Sequence, residues 1–258
     1  MKKGNTESKK AWLATSNGLV MVGRSCGAEG TVSGELVFNT SMCGYQELIT
    51  DPATTGQLLI FTMTEIGIYG VNQHDVLSEE VCPAAVIARK INDIPSNWAS
   101  EGSLPDYLAQ NGVLAIDQID TRLLTKQVRD HGPLAAIVTT VEMSDEELIA
   151  AARKSLLVTP LTEAEALAQD LGATLSKLSP GHHASNIPVR DLRTGQVLIT
   201  AQHHGHDVNF DGVEGIEITH INLNDQSIEG FAVPAQGIEA TLFKPLEIRE
   251  LITSKVAA

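Results

Sequence analysis

Five of the chain's eight histidines sit in two short stretches, His182-His183 and His203-His204-Gly205-His206, with Asp207 directly after the second. On an extended strand His204 and His206 share a face. Two imidazoles with a third ligand suit zinc or nickel. Ligand spacing without fixed outer partners specifies little, however, so the reading from sequence is that no metal and no cofactor is bound and that His183, His203 and His206 lie on a solvated surface. The other soft nucleophiles are three cysteines, Cys26, Cys43 and Cys82. They form neither a metal-ligand spacing nor an even disulfide set, and read as reduced thiols. Cys43, near a turn, reads as a small packed residue rather than a nucleophile.

The elements that must hold these residues are mostly short strands with a few helices. Gly34 to Asn39 alternates Leu36 and Phe38 on one face with Glu35 and Val37 on the other. Further strands are predicted at 58–63, 85–90 and 134–139. Asn17-Gly18, between WLAT and LVMV, predicts a hairpin with a type I′ turn, which needs two positive φ angles. Helices are predicted from Leu104 to Gln110, capped by Ser103, and from Thr121 to Asp130, capped by Asp120 and stopped near Gly132. Ser144-x-x-Glu147 is a capping box for a helix to about Lys154, whose polar, alanine-rich character suits a connector between domains. Asp51 and Asp117 read as turn caps, and the run Asp120 to Arg129 as an amphipathic helix rather than a binding site.

Composition narrows the function. At 258 residues the chain holds one large or two ordinary domains. Its net charge of -14 and pI near 4.9 argue against nucleic acid or an anionic membrane as partner. The basic first ten residues are not followed by an apolar leader, and no apolar run reaches the roughly eighteen residues of a membrane span. A cytoplasmic protein is expected.

The segment Phe38 to Pro52, FNTSMCGYQELITDP, stands with Gly23-Arg24-Ser25, IGIYGVN (Ile66 to Asn72), PSNW (Pro95 to Trp98) and IDTRLLT (Ile119 to Thr125). From about Leu13 to Ile137 these motifs, in this order, resemble the amino-terminal domain of the carbamoyl-phosphate synthase small chain. That family is a class I glutamine amidotransferase subunit delivering ammonia to a large synthetase chain for arginine and pyrimidine biosynthesis. The resemblance implies the large chain as partner. It resumes at Leu167 to Gly195, Val197 to Val208, Ile218 to Phe231 and Ile238 to Leu246, segments similar to the later part of the family's glutaminase domain. The stretch from Lys154 to Leu167 is too short for the opening half of such a domain, since each βαβ unit needs some thirty residues.

Glutamine hydrolysis in that family needs a cysteine on a sharp strand-to-helix turn, a histidine base and an orienting carboxylate. Leu161 stands nearest the cysteine's place, without an adjacent glycine. Lys244-Pro245-Leu246 replaces the family's His-Pro-Glu, exchanging base and carboxylate for a cation and an apolar side chain. Ala53 stands for the serine after Asp-Pro, and His203-His204-Gly205-His206 for Asn-His-Gly-Phe. Gly205 alone keeps a glutamine-contact position, and no residue is assigned a catalytic role. His182 and His204 are family positions, and the family's fold brings the flanking loops of the histidines together. Arg24, Tyr45 and Gln46 serve either an interface or the fold.

The fold class that follows is mixed α/β. Residues 1–143 form a strand-rich small-chain amino-terminal-like domain, 144–154 a connecting helix, and 155–258 a truncated amidotransferase-like domain with a mostly antiparallel sheet and one or two helices. Three functions stay open. The chain is an inactive subunit docking on the large chain, an internally deleted form of an active glutaminase subunit, or a repurposed His-rich metal-binding protein.

Overall fold

The computed structural model describes residues 9–155, 157 and 159–245. The chain divides into two compact units, with the break between Pro160 and Leu161.

In the first unit seven strands close into a barrel. These are β1 (Lys10–Thr15), β2 (Val20–Ser25), β3 (Thr31–Asn39), β4 (Leu58–Phe61), β5 (Ala85–Ile87), β6 (Leu114–Asp117) and β7 (Leu134–Thr139), in the order β1-β2-β6-β5-β4-β3-β7. Neighbours from β3 through β4 and β5 to β6 pair in parallel, and the others antiparallel. The parallel strands read LLIF, AVI and LAID, apolar almost throughout, because both of their faces are covered. One set of alternate residues, including Leu13, Leu36, Ile60, Ile87, Ile116 and Val138, comes from every strand of the barrel and fills its interior. The other set, with Leu59, Phe61, Val86 and Ala115, packs against α1 (Tyr45–Ile49) and α2 (Leu104–Gln110).

Helix α2 keeps its Ser103 cap, and α3 (Thr121–His131) its Asp120 cap and its stop at Gly132. Helix α3 turns Leu124 and Val128 into the barrel core. Its outer face, with Arg122, Lys126 and Arg129, joins Arg89 in lining a cleft of about 540 Å³. The capping box at Ser144 and Glu147 starts α4 (Asp145–Lys154). This helix is not a free connector: Leu148 and Ala152 pack on Ala14 and Ile137 of the barrel, so α4 belongs to the first unit. The hairpin at Asn17-Gly18 exists but its turn differs from the expected type I′. Gly18 has φ +100 and Asn17 is not in the left-handed region; Gly18 N–H bonds the Thr15 carbonyl and Thr15 N–H the Leu19 carbonyl. This is a three-residue loop with one glycine bulge.

The motif at 38–52 has a structural task. Tyr45 is buried, stacks on Tyr69 with ring centroids 4.2 Å apart and donates to the Gly70 carbonyl at 2.5 Å. Gln46 gives and takes hydrogen bonds with the Asn72 backbone at 2.6 and 3.0 Å. Two of the family-like segments are thus pinned to each other. Arg24 donates through Nε and Nη2 to both oxygens of buried Asp117, at 2.9 and 2.7 Å, a two-point geometry that only a guanidinium supplies. A Cβ on Gly23 would lie 2.2 Å from the Asp117 carbonyl oxygen, so glycine there lets β2 approach β6.

The second unit is a six-stranded sheet, ordered β12-β11-β10-β8-β9-β13, with antiparallel pairing throughout. Its strands are β8 (Thr174–Asp191), β9 (Val197–Asn209), β10 (Glu217–Asn222), β11 (Ile228–Val233), β12 (Ile238–Thr241) and β13 (Phe243–Pro245). Among the described residues one α-helix, α5 (Glu163–Asp170), lies against it, and Ala168, Val208, Phe210, Phe231 and Leu242 form its largest apolar cluster. No helix among the described residues is long and apolar enough to cross a membrane.

Candidate functional site

The polar interior of the second unit begins with the register of its longest hairpin. Strands β8 and β9 set His182 opposite His204 and His183 opposite His203. Between Lys177 and His182 the register shifts, so that several β8 residues bulge opposite Gly205. Alternation along a strand then separates the two histidine pairs onto opposite faces.

On one face, His182 and His204 meet edge to face, centroids 4.8 Å apart, with His182 Nδ1 3.2 Å from His204 Nε2. Glu229, carried in by β11, closes the group: Oε1 lies 3.0 Å from His182 Nδ1 and Oε2 3.2 Å from His204 Nε2. Glu229 is 0% exposed and His204 2%. Each is tied again from outside. His182 Nε2 reaches Asp225 Oδ2 at 2.8 Å, and His204 Nδ1 the His206 carbonyl at 3.2 Å. Asn222 Nδ2 and Ser227 Oγ donate to Glu229 Oε1 at 3.0 and 3.2 Å. The β10–β11 hairpin supplies Asn222, Asp225, Ser227 and Glu229 from one tight turn, in which Gln226 takes φ +68.

Helix α5 locks the neighbouring histidine. Thr162 and Glu165 form its capping box, with Thr162 N–H donating to Glu165 Oε2 at 2.6 Å. The other oxygen of this buried carboxylate accepts from His206 N–H at 2.8 Å and lies 3.2 Å from His206 Nδ1.

The electrostatics follow from burial among partners. Burial alone would push the Glu229 carboxyl up, but hydrogen bonds from His182, His204 and Asn222 hold it at about 2. For His182 burial disfavours the cation, yet Glu229 and then Asp225 outweigh it and raise the imidazole above its ordinary value. Burial raises Asp225, and bonds from Ser227 and His182 bring it below the usual carboxylate range. On the opposite face His183 is driven well below an ordinary histidine, first by burial and then by His203, His204 and His182.

None of the five histidines lies on a solvated surface, since each is buried or half-buried; the expectation of surface drift at His183, His203 and His206 fails because the long hairpin folds them inward. His206 is held by Glu165, and Asp207 pairs in register with Ser176, outside the cluster. Gly205 is buried on β9 beside the bulge. Glu229, Asp225, Asn222 and Glu165 were not singled out from sequence. Two signals were present: Thr162-x-x-Glu165 is a capping box, and Glu229 is a lone carboxylate between Ile228 and the strand residues Gly230 and Phe231.

Four other positions bear on glutamine chemistry: Leu161, Ala53, Lys244 and Leu246. Leu161 is 39% exposed and directly precedes the Thr162 cap; no described residue from 155 to 162 is in a strand. Ala53 sits in a short 3-10 turn, its N–H taken by the Asp51 carboxylate at 3.0 Å. Lys244 and Pro245 lie on β13, opposite Ala201 and Thr200. Leu246 lies outside the described residues. Cys26, Cys43 and Cys82 are all free and all in the first unit. Burial, then the charge of Asp117, pushes the Cys26 thiol up, away from a reactive thiolate.

Barrel and antiparallel sheet together define a strand-rich mixed α/β protein. Comparison with known proteins makes the class specific. Residues 13–138 match the family model for the carbamoyl-phosphate synthase small chain, CPSase domain. The carbamoyl phosphate synthase small chain of Nitratidesulfovibrio vulgaris strain Hildenborough is 30% identical over 348 aligned positions, covering 92% of this chain and 93% of the relative. The small chain of the Miyazaki F strain is 31% identical, with the same coverage. That of Aquifex aeolicus is 29% identical, covering 92% of this chain and 94% of its own length. The chain belongs to the carbamoyl-phosphate synthase small chain family. An alignment of 348 positions with a chain of 258 residues leaves at least 90 positions of the first comparison without a residue of this chain, so the matched segments are separated by stretches that it lacks.

Proposed function

We propose that this chain is a non-catalytic small-chain subunit, docking through residues 1–143 onto a carbamoyl-phosphate synthase large chain in arginine or pyrimidine biosynthesis, and that residues 155–258 are a truncated amidotransferase-like domain without glutaminase activity. The observation that carries this reading is the approach to α5. A cysteine nucleophile for amide hydrolysis needs a strand ending in a tight turn, so that its sulfur is presented at a helix N-terminus. Here the described residues from 155 to 162 carry no strand, and Leu161 stands nearest the nucleophile's position. Lys244 in the base's place is a permanent cation and cannot accept a proton from a thiol at neutral pH. With nucleophile and base both absent, oxyanion stabilisation has no addition step to serve.

Support for docking comes from what the first unit keeps and what it exposes. Tyr45 and Gln46 of the 38–52 motif are buried as structural ties, whereas Trp98, at the end of the PSNW motif, is 97% exposed and Ile94 76%. Ser96, between them, bonds the backbone of half-exposed Ile68. An aromatic side chain with aliphatic neighbours on a surface is the usual anchor of a protein interface. The test is co-purification of the untagged chain with the large chain. Association at micromolar concentration, weakened at least tenfold by Trp98→Ala, is expected; no association at that concentration contradicts the reading.

The alignment excess favours one further possibility, an internally deleted form of an active small chain. Resequencing the codons from Lys154 to Leu167 in the source genome decides between the two, because restored intervening codons would return the missing domain half.

A further inference from the structure

We infer that His182, His204 and Glu229 form a zinc site, a role that goes beyond the subunit reading and does not depend on it. The Asp225 carboxylate and the His206 carbonyl can only accept, so the ring N–H groups of His182 and His204 point outward, on Nε2 and Nδ1. The inward atoms, His182 Nδ1 and His204 Nε2, lie 3.2 Å apart; a proton on either is donated to Glu229, and its loss leaves a lone pair facing the centre. Glu229 adds two carboxylate oxygens at 3.0 and 3.2 Å from them. With both imidazoles neutral, two ring nitrogens and a carboxylate face one centre, where a cation can take the place of the shared proton.

Zinc fits that centre. Bonds of about 2.0–2.1 Å in a tetrahedron put ligand atoms roughly 3.3 Å apart, close to the observed separations. Two imidazoles and a carboxylate are a donor set that zinc favours, with a fourth position left for water. The outer partners that were missing from the sequence reading are present: Asp225 on one imidazole, a backbone carbonyl on the other, and Asn222 and Ser227 on Glu229. Such partners fix ring orientation and raise ligand basicity. The second histidine pair, His183 with His203, lies on the opposite face of the hairpin and serves as an internal control. His182 and Asp225, 11% and 41% exposed, leave an edge open to solvent for a metal ion to enter.

The experiment uses the full chain purified without a polyhistidine tag, stripped with EDTA and titrated with Zn²⁺ against a chromophoric chelator. One equivalent of zinc is expected. Glu229→Gln and His204→Ala should weaken binding at least 100-fold, and Asp225→Asn about 10- to 100-fold, while His203→Ala should leave it unchanged. If the wild type takes up no zinc, or Glu229→Gln binds as tightly as wild type, the site is held together by a shared proton and the inference is overturned. Should the Glu229 and His204 variants fail to fold, Asp225→Asn decides, because its side chain sits at the exposed end; a loss of less than tenfold then overturns the inference.

Discussion

The two units bury opposite kinds of interior. In the first, Leu13, Leu58, Ile60, Phe61 and Ile87 are wholly buried within two large apolar clusters, and its buried ions are few, Asp117 among them with its Arg24 partner. In the second, Glu165, Gln202 and Glu229 are 0% exposed and His204 2%, beside a smaller apolar cluster. An apolar core is fixed by volume and accepts many sequences of similar size. A polar interior has to be satisfied group by group, and each loss leaves a partner stranded. In the first unit Tyr45 and Gln46 tie two family-like segments together, while the second unit buries histidine beside carboxylate.

Four substitutions or conditions put that contrast under strain. Phe61→Ala should cost about 3–5 kcal/mol by denaturant unfolding, as for a large aromatic removed from a packed core, and should leave hydrogen exchange in β10 and β11 unchanged; a cost below about 1 kcal/mol would mean the barrel is loosely packed. Glu229→Ala should cost about 2–3 kcal/mol, because two buried imidazoles lose their shared acceptor. Its readout is faster exchange confined to β8 through β11, and a change spread over the barrel would mean that the two interiors are not independent. Ser144→Ala removes the capping-box hydroxyl of α4 and should cost about 1 kcal/mol, seen as fraying of α4 amides with the barrel intact.

The smallest effect is that of pH on His220. Burial lowers this imidazole below 6.5, against the opposing charge of Asp191 and Glu239 and with that of Arg193. Its folded value lies below its unfolded one, so the unfolded chain binds the proton more readily. The contribution is therefore full above about 6.5 and is lost as pH falls from there through the lower folded value. His220→Gln should flatten a small part of the stability lost below about pH 6.5; an unchanged profile in a thermal melt series would assign that sensitivity to other groups.

Much of the first unit was legible because its signals are local. Ser103, Asp120 and Ser144 mark helix starts by side chains that cap the first turn, and LAAIVT reads as β7 from its apolar run. What failed there was finer: Asn17 keeps an ordinary φ because a three-residue loop needs only Gly18 in the left-handed region, and α4 looked like a linker because only Leu148 and Ala152 touch the barrel deeply. In the second unit the histidines were noticed but their setting was not. His182 meets Glu229 across 47 residues of sequence, and no local pattern announces a pairing made by sheet register. The bulge opposite Gly205 aligns His182 with His204, and a shift of one residue would send one of them to the other face.

The central claim, a family member that has lost its glutaminase chemistry, is tested most directly by measuring ammonia release from glutamine with the purified full chain, alone and mixed with the large chain. The account predicts no release above background in either case. Release that is abolished by a single substitution in this chain would contradict it.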